Sequence, residues 1–173
     1  RRTLLSEAFY GFGTYQAVPA ISPNGSWMGV GGHDTAARVF MWSNRTTTRG
    51  FGDSGEFLDV GTGITQRTRG FTIAPSGDDI AISHLGGVSI IRQALAGEGA
   101  QQRIDLPGAQ DVSLAGFQRD GLGLLGVNGD RLYYWDLEQQ SRVPSDLFSF
   151  PLRQGCAGCS APQLAIAPDE SRV

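Results

Sequence analysis

This chain of 173 residues predicts an all-β fold built from repeated four-stranded antiparallel sheets, on three observations. First, an apolar residue followed by a tight-turn signature occurs four times: Ile21-Ser22-Pro23-Asn24-Gly25, Ile73-Ala74-Pro75-Ser76-Gly77, Phe117-Gln118-Arg119-Asp120-Gly121 and Ile166-Ala167-Pro168-Asp169-Glu170. In three of these Pro presets φ for the first corner, Asn, Ser or Asp tolerates the next, and Gly usually accepts the positive φ that closes the turn. Second, another turn follows each of the first three in near-constant phase, at Gly32-His33-Asp34, Gly86-Gly87 and Asn128-Gly129; Gly-Gly and Asn-Gly are strong two-residue hairpin signals. Third, the segments between the turns are short, β-branched and aromatic, whereas the best helical stretch, Glu7 to Phe12, is too short and is broken by Gly11.

The elements follow in order. The first unit offers strands over 17–21, 27–30 and 38–42, the second over 71–74, 80–84 and 88–92, and the third over 112–117, 122–127 and 131–137. The third strand of each unit is a nearly unbroken apolar run: Val39-Phe40-Met41-Trp42, Val88-Ser89-Ile90-Ile91 and Leu132-Tyr133-Tyr134-Trp135. Runs of this kind predict burial on both faces of the sheet. A fainter fourth strand falls over 56–60, 103–106 and 147–152, and the alternation in Arg103-Ile104-Asp105-Leu106 suits a half-exposed outer edge.

Four antiparallel strands per repeat, with inner strands buried on both faces, describe a blade of a β-propeller, which can bury its faces only by stacking on neighbours. A β-sandwich has similar strand density but no phase-locked pair of turns. The units start near residues 14, 68, 112 and 163, and residues 1–13 read as the outer strand of another blade. Three units and the start of a fourth are fewer than the usual four to eight blades, so the expectation over 1–173 is an incomplete propeller. Its closure calls for further blades of a longer chain or for other protein chains.

The stretch from Ile21 through Gly31-Gly32-His33-Asp34 to Val39-Phe40-Met41-Trp42 resembles a WD-repeat blade, and Leu132-Tyr133-Tyr134-Trp135-Asp136-Leu137 contains the Trp-Asp dipeptide of that family. The resemblance covers nearly the whole chain and is strongest in units one and three. Asp34 and Trp42 match two members of the family's Asp–His–Ser/Thr–Trp tetrad. No Gly-His pair precedes a first strand, and Arg92 or Gln93 stands where unit two would carry Trp, so the chain resembles a divergent, WD-like propeller. Such propellers generally act as scaffolds in larger complexes, and the resemblance implies the same role here.

Composition narrows the chemistry. All 14 basic residues are Arg, which excludes a P-loop or any catalytic lysine within this stretch. A net charge of −3 gives no basic field for nucleic acid. No apolar run reaches the roughly 18 residues of a membrane helix, and the N-terminus lacks a secretory apolar region.

The candidate motifs are mostly ordinary structure. Gly52-Asp53-Ser54-Gly55 resembles the nucleophile segment of trypsin-like proteases, but the only histidines are His33 and His84, and neither stands where a base with an orienting Asp is needed. Gly121-Leu122-Gly123-Leu124-Leu125-Gly126 matches a dinucleotide fingerprint, yet it runs into a strand where that motif requires a helix. Cys156 and Cys159 form a CxxC that reads as a short disulfide or a pair of thiols, with no local third ligand for zinc. Asn24-Gly25-Ser26 and Asn44-Arg45-Thr46 fit glycosylation sequons. His84 ends a buried strand and is expected to be hydrogen-bonded, and the strand aromatics Trp27, Trp42, Trp135, Tyr133 and Tyr134 are expected to fill the gaps between blades. The loop from Asn44 to Gly55, carrying Arg45 and Arg49, reads as a solvated connector.

The expected function is non-catalytic: a binding module that needs no cofactor or metal and takes other protein chains as partners, without nucleic acid or membrane insertion. The partner face is expected where fourth-to-first strand loops and second-to-third turns converge, at His33, Asp34, Arg67, Arg69, Gln110, Asp111, Asn128 and Asp130. Arg in place of Lys suits such a face, because guanidinium groups pair bidentately and stack. The alternatives are a propeller portion of an enzyme of peptidase, lactonase or quinoprotein type, and an extracytoplasmic sugar-binding propeller.

Overall fold

The computed structural model describes residues 18–33, 37–43, 58–95, 100–106, 108–128, 131–138 and 145–149. Twelve strands among them form three four-stranded antiparallel sheets, each a simple meander in chain order. The first sheet holds β1 (Val18–Ile21), β2 (Trp27–His33), β3 (Ala37–Ser43) and β4 (Leu58–Gly61). The second holds β5 (Thr68–Ile73), β6 (Ile80–His84), β7 (Gly87–Arg92) and β8 (Gln102–Leu106), and the third β9 (Ser113–Phe117), β10 (Gly123–Asn128), β11 (Arg131–Asp136) and β12 (Ser145–Ser149). All twelve coincide with the expected strands to within a few residues.

The recurring turn is one structure made three times. The carbonyls of Ser22, Ala74 and Gln118 accept the N–H groups of Gly25, Gly77 and Gly121 at 2.8, 2.9 and 2.9 Å. The same three residues donate their own N–H to the carbonyls of Trp27, Asp79 and Gly123. At the third turn position, side-chain oxygens of Asn24, Ser76 and Asp120 each accept the N–H two residues on, from Ser26, Asp78 and Leu122. That bond is why Asn, Ser and Asp interchange there. The glycines have φ of 68°, 83° and 78°, which explains the Gly at the fourth position.

Two strands differ from expectation. β2 does not stop at Val30; it continues through Gly31 and Gly32, and His33 pairs with Ala37. His33 is therefore a strand residue, not a turn residue, because the Gly pair extends as readily as it bends and the ladder with β3 continues past it. β5 starts at Thr68, so Arg69 also lies on a strand.

Alternate residues of the second sheet face opposite neighbours. Ile80, Ile82 and Ile91 pack with Val39, Met41 and Val60 of the first sheet, while Ala81, Val88 and Ile90 pack with Phe117, Leu124 and Trp135 of the third. β6 is buried along its whole length and β7 as far as Ile91, as their unbroken apolar runs require. The first strands stand side by side: β5 packs beside β1, β2 and β9, and β6 beside β9. Close approach depends on glycine at Gly31, where a Cβ would come within 2.6 Å of Phe71 Cδ1. The turns also meet across the sheets, for Asn24 Nδ2 donates to the Pro75 carbonyl at 2.7 Å.

Candidate functional site

One end of the sheets gathers the β4–β5 loop, the β6–β7 turn, the β8–β9 loop and the end of β10. Its parts are tied together. The Leu85 N–H donates to the Arg67 carbonyl at 3.2 Å, linking turn to loop. Arg69 Nη1 pairs with Asp111 Oδ1 at 2.8 Å, joining β5 of the second sheet to the loop that enters the third. Asn128 Nδ2 donates to the Gln110 carbonyl at 3.1 Å, and Arg103 Nη1 to the Gly63 carbonyl at 3.0 Å. Asp111 adopts φ of 57°, a left-handed conformation that Asp tolerates better than most residues.

Five of the eight expected face residues are thus placed with side chains: Arg67, Arg69, Gln110, Asp111 and Asn128. His33 is described only as the end of β2, while Asp34 and Asp130 lie outside the described residues. Cys156, Cys159, Asn44, the Gly52–Gly55 segment and the Ile166 turn lie outside them as well. Gly123 to Gly126 of the glycine-rich run form β10, with no helix start, so the dinucleotide reading has no structural basis. Asn24 of the first sequon uses its amide on Pro75 and its oxygen on Ser22 and Ser26, which makes it a clasp between turns.

A polar relay that motif reading did not reveal runs beneath this end. His84 Nε2 lies 2.8 Å from Ser89 Oγ, Ser89 Oγ donates to Asp105 Oδ1 at 2.5 Å, and Arg103 Nε donates to the same oxygen at 2.8 Å. The Gly86 N–H donates to His84 Nδ1 at 3.1 Å, so Nδ1 is an acceptor and the proton sits on Nε2, which donates to Ser89. The order is His to Ser to Asp, whereas nucleophile activation needs the carboxylate behind the imidazole and the hydroxyl in front of it. Ser89 is fully buried and His84 nearly so. This relay is a structural bond network, and its sequence signal was the lone Ser inside a buried apolar run.

Its protonation is one-sided. Burial, and then the Arg103 charge, hold the His84 imidazole below its usual value of 6.5, with Asp105 opposing. Burial raises Asp105, but the bonds from Ser89 and Arg103 outweigh it and leave the carboxyl below 3.8. In both cases the unfolded chain binds the proton more tightly, so stability is complete above the unfolded value and declines as pH falls toward the folded one. Urea unfolding midpoints are expected to fall from about pH 6.5 downward, and His84→Gln is expected to flatten that upper stage. Ser89→Ala, which strands the His84 Nε2–H and removes a bond to Asp105, is expected to cost about 1–3 kcal/mol.

Among the described residues no group of three His, Cys, Asp or Glu is placed to hold a metal ion, and no helix is long and apolar enough to cross a membrane. No protein-family model matches the chain, and no curated protein does. Among solved structures, a functionally unknown protein from Desulfotomaculum acetoxidans DSM 771 matches at 20% identity and a TM-score of 0.44. The match covers 89% of this chain and 45% of that one, so this chain spans less than half the length of that structure.

Proposed function

We propose that the chain is part of a divergent, WD-like β-propeller that serves as a protein-binding module and catalyses no reaction. Three meander sheets with one shared turn structure, and first strands set side by side, support the propeller reading. The observation that carries the binding role is the tied loop end. The Arg69–Asp111 pair crosses from one sheet to the next while leaving the Asp111 side chain 66% exposed. A preformed face of this kind loses little loop entropy on association.

The test is a quantitative pull-down with the purified chain as bait, comparing wild type with the double variant Arg67→Ala/Arg69→Ala. Partners retained by wild type are expected to fall at least about tenfold, from loss of the Arg67 contact together with the Arg69–Asp111 tie that preforms the face, with little change in the urea midpoint. Unchanged retention would reject this face. A parallel ester and lactone hydrolysis screen is expected to show no turnover; turnover lost on Asp34→Asn or Asp130→Asn would replace the binding role with an enzymatic one.

A further inference from the structure

Among its described residues the tied end carries one cation that the fold does not use. Arg69, Arg92 and Arg103 each face a carboxylate, at 2.8, 3.7 and 2.8 Å, and Arg119 and Arg131 are engaged as well. Among the arginines whose side chains are described, Arg67 alone has no partner, and it is exposed. Both carboxylates described at this end are already taken, Asp111 by Arg69 and Asp105 by Ser89 and Arg103. Among the described residues at this end the surplus of charge is therefore positive, on a chain whose net charge is −3.

The residue bonded to Arg67 through the backbone carries an apolar side chain the core does not use. Leu85 is 55% exposed at the tip of the β6–β7 turn, and its N–H bond to the Arg67 carbonyl fixes the two residues as neighbours. The tip is held in place. Gly86 bonds to His84, and the Gln66 carboxamide lies so close over Gly86 that a Cβ there would come within 2.7 Å of Gln66 Oε1. A single exposed leucine is common on protein surfaces and by itself says nothing. A leucine on a braced turn beside an unneutralised arginine is a two-point site, one point for charge and one for apolar contact.

We infer that Arg67 and Leu85 form the docking point for an acidic peptide segment of a partner protein, one that sets a carboxylate beside an apolar side chain. This rests on the binding-module reading and names the chemistry of its partner. The carboxylate pairs with Arg67, whose planar fork suits it, and the apolar side chain covers Leu85. One free cation among the described residues is too little for nucleic acid, whose binding grows with the number of phosphates neutralised.

The experiment uses fluorescence polarisation with three labelled seven-residue probes and the whole chain. The first probe alternates Asp or Glu with Leu, the second replaces the acids by Asn and Gln, and the third replaces Leu by Ser. The acidic–apolar probe is expected to bind most tightly. The amide probe on wild type, and Arg67→Gln with the acidic probe, are each expected to be weaker by about two- to fivefold, the worth of one exposed ion pair. Leu85→Ser with the acidic probe is expected to weaken binding about tenfold. Equal binding of all three probes, or tighter binding of duplex DNA that Arg67→Gln weakens, would overturn the assignment. If partners in the pull-down depend on Gln110 and Asn128 but are indifferent to Arg67→Gln and Leu85→Ser, the docking point is wrong and the binding module stands. Indifference to all four positions removes both.

Discussion

Trp135→Ala is expected to destabilise the chain by about 3–5 kcal/mol, the range for truncating a large buried aromatic. Trp135 is fully buried on β11, where it packs with Phe117 and Leu124 of its own sheet and with Ala81, Val88 and Ile90 of the second. Its ring stacks on Tyr133 with centroids 6.0 Å apart and planes at 29°. Gly126 makes room for it, since a Cβ there would meet Trp135 Cζ3 at 3.1 Å. The indole would therefore leave a cavity walled by two sheets that cannot close independently. One detail separates packing from polarity: Trp135 Nε1 is buried with no hydrogen-bond partner among the described residues. An unmade buried bond costs about 1–3 kcal/mol, so Trp135→Phe removes that burden while losing only part of the ring. The Phe variant is expected to lose no more than about half as much as the Ala variant. Urea denaturation at fixed pH measures both. Equal losses would show that the indole N–H has a partner after all.

The burial of Trp135 is legible in the amino-acid sequence alone. It sits in an apolar run after an Asn-Gly turn, and local rules of this sort reach every strand described, because turn chemistry and two-sided burial are written in adjacent residues. The extent of β2 is less legible, since Gly31-Gly32 fits a turn and an extended strand equally well and only the ladder with β3 decides. Contacts between repeats are not legible at all. Nothing at Asn24 announces Pro75, and His84, Ser89 and Asp105 belong to three strands whose register sets their meeting. At the candidate site the residue types are visible in the sequence, but the division between used and unused arginines is not. Arg67 and Arg69 are alike in sequence, and only the fold places a carboxylate beside one of them.

The second large effect concerns the shared turn, where three equivalent glycines have different surroundings. Gly25→Ala and Gly77→Ala impose the same backbone strain, with φ of 68° and 83°, and each variant recovers a little by stiffening the unfolded chain. Around Gly25 there is open space, so the expected net cost is about 1 kcal/mol. At Gly77 a Cβ would run into the Trp27 indole, reaching Nε1, Cε2 and Cδ1. Trp27 is only half-buried, but it packs against the core between the first two sheets, and a planar ring cannot give way at one atom. Overpacking adds about 1–3 kcal/mol, for an expected total of about 2–4 kcal/mol. The contact joins two sheets, so its contribution can be isolated with a double-mutant cycle. Trp27→Leu in the Gly77→Ala background should recover the overpacking part and leave the strain, giving a coupling of about 1–3 kcal/mol. Strictly additive losses would mean that the ring and the turn do not touch, and the clasp between the first two sheets would rest on the Asn24 bond to Pro75 alone.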